Sequence, residues 1–293
     1  MKALFFVAPT VGEYDRETLR LAAQAAADAR GFEFSICGIK PGEDITETVG
    51  RHDLSGVDCL AAVGGDGTVS AVAHELVGRE MALGIVPAGT GNMVARELGI
   101  PLEIGSAVAL IAGGATRKRI DAMRIGGRIY LLNAGVGINA EVIDQTSRLG
   151  KSLFGRSAYF GTAVWKVLQA RPQRFEVMVD DNASVYNATD IAISNCGILA
   201  RALNPNGPDI RVDDGRIDVC ILCMKTPLEY PWYYFLKRIA SERVNKIIHE
   251  VPVRRSVTIK SGKPVIVQAD GDIIGNTPVT IKVLPRAVTV MVP

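Results

Sequence analysis

Residues 64–68 read Gly-Gly-Asp-Gly-Thr, at the end of the apolar run 57–63 and just before a helical run from Thr68 to Leu76. Three glycines bracket one carboxylate at a strand-to-helix turn. Glycine has no Cβ and tolerates positive φ, so the backbone of such a turn can come close to another molecule. The amides that open the following helix favour an anion. The chemistry implied is a phosphate cradle built from Gly64, Gly65, Gly67 and Thr68, with Asp66 held at its centre. A tight βα turn that needs glycine for geometry alone also explains these residues.

A second turn follows at once. Residues 82–92 read Ala-Leu-Gly-Ile-Val-Pro-Ala-Gly-Thr-Gly-Asn, again a short apolar strand running into glycines and then a helix. Gly89, Thr90, Gly91 and Asn92 are its candidate contacts. In an open parallel sheet ligands bind outside the carboxyl ends of the strands, so both loops can converge on one polyanion. Asp66 cannot usefully touch a phosphate itself, because two anions repel. A metal ion or a bridging water removes that conflict, and Mg²⁺ accepts carboxylate and phosphate oxygens together.

The elements that must position these turns alternate. Strands are predicted at 2–8, 32–37, 57–63 and 82–86, with helices near 14–30, 43–50, 68–78, 92–98 and 103–112. Gly31 is placed to stop the first helix. This order implies an α/β domain with a mostly parallel sheet and helices on both faces. After about residue 118 the pattern changes to strand-like runs at 117–125, 128–138, 174–180, 184–194, 216–223, 254–260, 264–269, 278–283 and 287–292. These imply antiparallel sheets packed as a sandwich, interrupted by helical stretches near 154–170 and 227–240. The expected division is an α/β nucleotide-binding domain over 1–120 and a β-sandwich domain over 121–293.

Together the turns resemble the diacylglycerol kinase-like lipid kinases, a group with bacterial diacylglycerol kinases and sphingosine and ceramide kinases. The resemblance rests on Gly64-Gly65-Asp66-Gly67-Thr68 and Pro87-Ala88-Gly89-Thr90-Gly91-Asn92, and extends through Ile120-Asp121, Asn133-Ala134-Gly135-Val136-Gly137, Asp213-Asp214-Gly215-Arg216-Ile217-Asp218 and Asp270-Gly271-Asp272. These landmarks span nearly the whole chain in the family's order. The resemblance implies ATP and Mg²⁺ as cofactors, with Pro9 and Thr10 beside the phosphates and Asp121 extending an acidic network toward Asp66. It also implies a base from the Asp270-Gly271-Asp272 turn acting on the acceptor hydroxyl. Asp272 stands where the family has Glu, one methylene longer, so either Asp272 or Asp270 is the candidate base. A second, structural cation is implied at Asp214 with the carbonyls of Arg211 and Arg216; an acidic β-turn that needs no metal fits as well. Two departures stand out: Ala8 replaces an Asn before Pro9, and Met93 follows Asn92 where many relatives have Asp.

Composition narrows the partners. The 293 residues are 48% hydrophobic with a formal net charge of +2, which gives no support for a nucleic-acid binder with a basic stripe. The odd set of five cysteines, set in apolar runs, argues against a disulfide framework and fits a reducing cytosol. No run approaches the roughly 18 apolar residues needed to span a bilayer. The expected protein is cytoplasmic and peripheral at the membrane, making transient contact with its surface to reach a lipid substrate of diacylglycerol or sphingoid type. The stretch Leu228 to Ile239, with Tyr230, Trp232, Tyr233, Tyr234, Phe235, Lys237 and Arg238, suits a membrane interface or a helix packed on the sandwich. Oligomeric state stays open, a homodimer included. The competing readings are an NAD kinase-like enzyme, which shares the Gly-Gly-Asp-Gly logic, and a catalytically degenerate lipid-binding or regulatory protein.

Overall fold

The computed structural model describes residues 1–113, 115–137, 140, 171–198, 209–224 and 248–293. The predicted helices near 154–170 and 227–240, and the aromatic stretch 228–239, lie outside the described residues. The first half alternates as expected: β1 (Lys2–Val7), α1 (Glu13–Arg30), β2 (Glu33–Gly38), α2 (Ile45–Gly50), β3 (Cys59–Gly64), α3 (Asp66–His74), β4 (Ala82–Pro87), α4 (Met93–Glu97) and α5 (Ile104–Gly113). β1 pairs in parallel with β2 and β3, and β3 with β4. Gly31 ends α1 in the left-handed region, its amide donating to the Ala27 carbonyl, which is how glycine stops a helix without strain. Strands β3 and β4 are buried along their whole length, because helices cover both faces. One face packs Phe5, Val63 and Val86 against Leu19, Ala23 and Val108; the other packs Phe6, Leu60 and Leu83 against Val69, Val72 and Leu76.

The second half supplies β5 (Thr116–Ile125), β6 (Arg128–Tyr130), β7 (Asn133–Gly137), β8 (Gln173–Val179), β9 (Asn182–Ala188), β10 (Asp190–Ser194), β11 (Ile217–Leu222), β12 (Ile248–Val253), β13 (Ser256–Ser261), β14 (Ile266–Ala269), β15 (Asp272–Asn276) and β16 (Val279–Val292). Among the described residues these form two sheets. One runs on from the first half in the order β2-β1-β3-β4-β16-β13-β8-β9, with β5 against β16 and β6 against β5; the other is antiparallel, β12-β11-β10-β7-β14-β15. The two sheets enclose a core of Met123, Phe175, Val177, Val257 and Ile281 against Val136, Ile191, Val219 and Val267. This is the expected sandwich. Its sheet is continuous with the parallel one because β16 crosses back, Val290 pairing with Leu83 of β4.

The strand predictions differ in five places. The run 128–138 divides into β6 and β7, because the amides of Leu131, Leu132 and Asn133 turn to a side chain, Asp270. The run 184–194 divides at Thr189, where the chain leaves one sheet for the other. The runs 278–283 and 287–292 are one strand with an irregularity between Leu284 and Val288. β12 and β15 are strands that the pattern did not show.

Candidate active site

The two glycine turns are pressed together. A Cβ on Gly89 would stand 2.4 Å from the Gly65 Cα and 3.0 Å from its nitrogen, a separation that atoms do not tolerate. A Cβ on Gly64 would lie 2.7 Å from the Thr68 hydroxyl oxygen. Asn92, held at φ +49°, closes the second turn by accepting from the Gly89 amide at 3.0 Å and donating to the Gly89 carbonyl at 2.8 Å. Its side chain is therefore spent on its own loop, and α4 takes its cap from elsewhere. The Asp66 Oδ1 accepts from the Val94 amide at 3.0 Å. Asp66 thus ties the first turn of α3 to the first turn of α4. Opening α3, the amides of Asp66 and Gly67 have no intrahelical acceptor.

A cleft of about 820 Å³ lies over these turns. Pro9, Thr10, Gly65, Gly67, Thr68, Gly89 and Thr90 line it, as the sequence predicts. Gly64, Asp66, Gly91 and Asn92 shape the turns from behind and are not part of its lining. Beside it a smaller cavity of about 330 Å³ is lined by Ile125, Ile129, Tyr130, Ile273 and Ile274, with Ser70, Asp270 and Asp272. Asp272 and Arg128 belong to both walls.

The β14–β15 turn gives its two carboxylates different surroundings. Asp270 accepts from the Ser70 hydroxyl at 2.5 Å and from the amides of Leu131, Leu132 and Asn133 at 3.0, 3.1 and 3.0 Å. Burial pushes its pKa up, against the pull of these four donors. Both oxygens are committed, so Asp270 is a strut between α3 and the turn, and it does not present a free lone pair to an acceptor hydroxyl. Asp272 is exposed on the cleft side; its Oδ2 lies 3.8 Å from where a Cβ on Gly67 would stand. Burial of the carboxyl between the walls raises its pKa, and the Arg128 guanidinium opposes the rise.

Comparison with known proteins gives the family and the fold. Residues 2–125 match the diacylglycerol kinase catalytic domain, and residues 133–292, more than half of the chain, match the YegS C-terminal NAD kinase beta sandwich-like domain. The chain belongs to the diacylglycerol kinase-like family of lipid kinases. It is 34% identical over 203 residues, 69% of its length, to a Pseudomonas aeruginosa protein named "Probable lipid kinase YegS-like". It is 29% identical over 276 residues to the diacylglycerol kinase of Mycobacterium tuberculosis, covering 86% of each chain. A crystal structure of a diacylglycerol kinase from Bacillus anthracis Sterne has the same fold, with a TM-score of 0.76 at 23% identity over 100% of this chain and 97% of that one. The chain spans 66% of the Pseudomonas relative's length and 57% of the length of a Synechocystis relative.

Set in this lipid-kinase fold, Asp121 and the Asp213-Asp214-Gly215 loop form a separate cluster. Asp121 is fully buried. Its carboxylate accepts from the Gly215 amide and from the Arg286 amide, both at 2.7 Å. Arg286 sits in the irregular part of β16, at φ +48°, where a bulge frees a ladder amide. Asp121 satisfies that amide and so holds the bulge; its partners are backbone groups, not the glycine turns where the sequence reading puts it. Asp214 faces the Arg216 side chain, Oδ2 to Nε at 3.1 Å, and accepts from the Arg216 amide at 3.2 Å. Arg211 pairs with Asp213 at 3.2 Å, as does Lys118 at 3.1 Å. The acids of this loop are thus matched by the chain's own cations. Among the described residues no three His, Cys, Asp or Glu side chains gather as a metal cage, and no helix is long and apolar enough to cross a membrane.

Sequence reading missed Ser70, Arg128, Tyr130 and Asp44. Asp44 had a signal, since Asp-x-x-Glu before an apolar residue marks a helix start; its Oδ1 accepts from the Glu47 amide at 3.2 Å. Arg128 follows Gly126-Gly127 and has no motif of its own.

Proposed function

We propose that the protein transfers the γ-phosphoryl group of ATP to a primary hydroxyl of a membrane lipid, with diacylglycerol as acceptor and phosphatidic acid as product. One observation carries this reading: the Asp272 carboxylate stands where a cleft lined by backbone glycines meets a smaller cavity lined by isoleucines and a tyrosine. The glycine turns hold phosphates through amides. The apolar cavity, at about 330 Å³, accepts a headgroup and the start of an acyl chain, which leaves the rest of the lipid in its bilayer and makes contact with the membrane transient. Asp272 takes the proton of the acceptor O–H. That oxygen forms its bond to the γ-phosphorus, the bond from phosphorus to the bridging oxygen breaks, and ADP leaves with the electron pair. Asp270 keeps the turn against α3 through Ser70, so that the base keeps its place. Positioning and charge neutralisation are the main sources of rate in such a transfer.

The walls of the larger cleft carry Glu43, Asp44 and Asp272 against one cation, Arg128. A polyanion enters such a cleft with a divalent cation. Mg²⁺ needs only one or two carboxylates plus substrate phosphates and waters, so Asp44, committed to Arg128, and Asp272, facing the acceptor, are not required to hold it. Asp66, whose Oδ1 accepts from the Val94 amide and whose Oδ2 is turned toward Gly91, stands outside the cleft lining and would reach the ion through bridging water, and the ion would supply neutralisation of the phosphate charge.

The likeness of the second half to an NAD kinase sandwich supports a second acceptor, NAD. Incubation with γ-labelled ATP, Mg²⁺ and either a panel of diacylglycerol, monoacylglycerol, sphingosine and ceramide or NAD separates the two. Label in a lipid phosphate is the expected result. Label in the dinucleotide supports the second reading, and ATP binding with no label in any acceptor supports a degenerate binding protein.

A further inference from the structure

Arg128 is the one cation among the described residues that line either cavity, and it lines both. It is exposed on β6, at the first residue after the Gly126-Gly127 turn. Its guanidinium pairs with the Asp44 carboxylate on the opposite wall. Asp44 belongs to the N-terminus of α2 and Arg128 to the β5–β6 hairpin, so the pair bridges the mouth of the phosphate cleft. The cap of α2 does not depend on the pair: Asp44 caps through Oδ1, and the guanidinium uses Oδ2. The side chains of both partners reach solvent, 55% exposed for Arg128 and 29% for Asp44. Ion pairs of this kind are weak. A guanidinium binds a phosphate through two parallel charge-assisted hydrogen bonds, which are among the strong ones. An arginine beside a polyphosphate site, held only by an exchangeable carboxylate, has a better partner whenever a nucleotide is present.

We propose that Arg128 is a further catalytic residue of the transfer: it pairs with Asp44 in this structure and exchanges that partner for the terminal phosphate of bound ATP, neutralising the charge on the group in flight. The inference rests on the phosphate-transfer reading of the cleft. Asp44 then acts as a gate, holding the arginine until a third phosphate competes for it. ADP, which lacks that phosphate, leaves the pair intact, so product is released against no arginine contact.

The test uses the full-length protein with ADP and a non-hydrolysable ATP analogue, each titrated against a fluorescent nucleotide, beside turnover with γ-labelled ATP and lipid. Arg128→Gln is expected to lower affinity for the ATP analogue about tenfold, leave ADP affinity unchanged, and reduce turnover by about 10²-fold or more, as loss of a charge-stabilising donor does elsewhere. Asp44→Asn keeps a good helix cap and frees the arginine, so affinity for the ATP analogue rises while that for ADP does not. The double variant behaves as Arg128→Gln alone. Arg128→Lys keeps the charge without the fork, falls between, and serves as the reading should Arg128→Gln fail to fold in a thermal melt. An unchanged ratio of ATP-analogue to ADP affinity in Arg128→Gln or Arg128→Lys overturns the proposal, as does an Asp44→Asn variant that weakens the ATP analogue; the pair is then a strut across the cleft mouth. The nucleotide titrations stand apart from the lipid assay. Absence of lipid phosphorylation by the unmodified protein sinks the acceptor assignment, and full lipid turnover by Arg128→Gln sinks only the role of Arg128.

Discussion

The two sides of the cleft are made of different material. The phosphate side is backbone: two glycine turns so close that Gly89 has no room for a Cβ, locked by Asn92 onto Gly89 and by Asp66 onto Val94. The acceptor side is side chain: isoleucines and a tyrosine from separate strands, and a carboxylate pair on one turn of which only Asp272 faces the cleft. A backbone site tolerates almost no substitution at its glycines and carries little acid–base chemistry. A side-chain site can be retuned residue by residue, and its pKa values come from its neighbours.

The comparison can be broken first at Gly89. Gly89→Ala places a methyl group into the Gly65 backbone, where overlap cannot be relieved by a side-chain rotation. Nucleotide binding, measured by titration with a fluorescent ATP analogue, is expected to be lost, with a melting temperature well below that of the unmodified protein. Unchanged affinity would show that the turns do not hold phosphate. Next comes the strut. Asp270→Ala leaves the Ser70 hydroxyl and three amides without their acceptor, and buried unpaired groups cost about 1–3 kcal/mol each. The expected loss of stability, read in denaturant, is about 4 kcal/mol or more. Ser70→Ala removes a single charge-assisted bond and is expected to lose roughly 1.5–3 kcal/mol and several-fold in turnover, with nucleotide affinity kept. A Ser70→Ala variant that matches the unmodified protein in both would make the α3 contact incidental.

The smallest effect is in pH. Burial raises the Asp272 pKa and Arg128 opposes it, and a base works only when ionised. Turnover at saturating ATP is therefore expected to climb with pH along an acid limb centred above the ordinary carboxylate value of about 4. Removing the opposing cation in Arg128→Gln moves that limb to higher pH. A limb that moves to lower pH, or stays in place, contradicts the assignment.

This difference in material also governs what was legible in the sequence. Glycine turns were readable because close approach of two backbones admits no other residue at Gly89. The βα alternation and the sandwich were readable from periodicity. The division of labour between Asp270 and Asp272 was not, because it depends on Ser70, 200 positions away, and on amides at 131–133 that a strand pattern reads as ladder groups. The same holds for Asp121: the family resemblance points it toward the phosphates, while its partners are amides at Gly215 and Arg286 brought in by a bulge. Arg128 and Asp44 meet across 84 positions; the cap motif at Asp44 announces a helix start and not this partner, and no motif announces Arg128.

The central claim is that Asp272, from the second half, serves the acceptor as a base and contributes nothing to nucleotide binding. It is tested most directly by measuring turnover and ATP affinity together for Asp272→Ala. General-base catalysis is worth about 10²–10⁴-fold, so turnover of γ-labelled ATP into lipid is expected to fall by roughly that factor while the Kd for ATP stays within about twofold. Asp272→Glu, with the reach of the family's usual residue, is expected to retain activity. Full turnover by Asp272→Ala, or a loss of ATP affinity as large as the loss of turnover, would contradict the account.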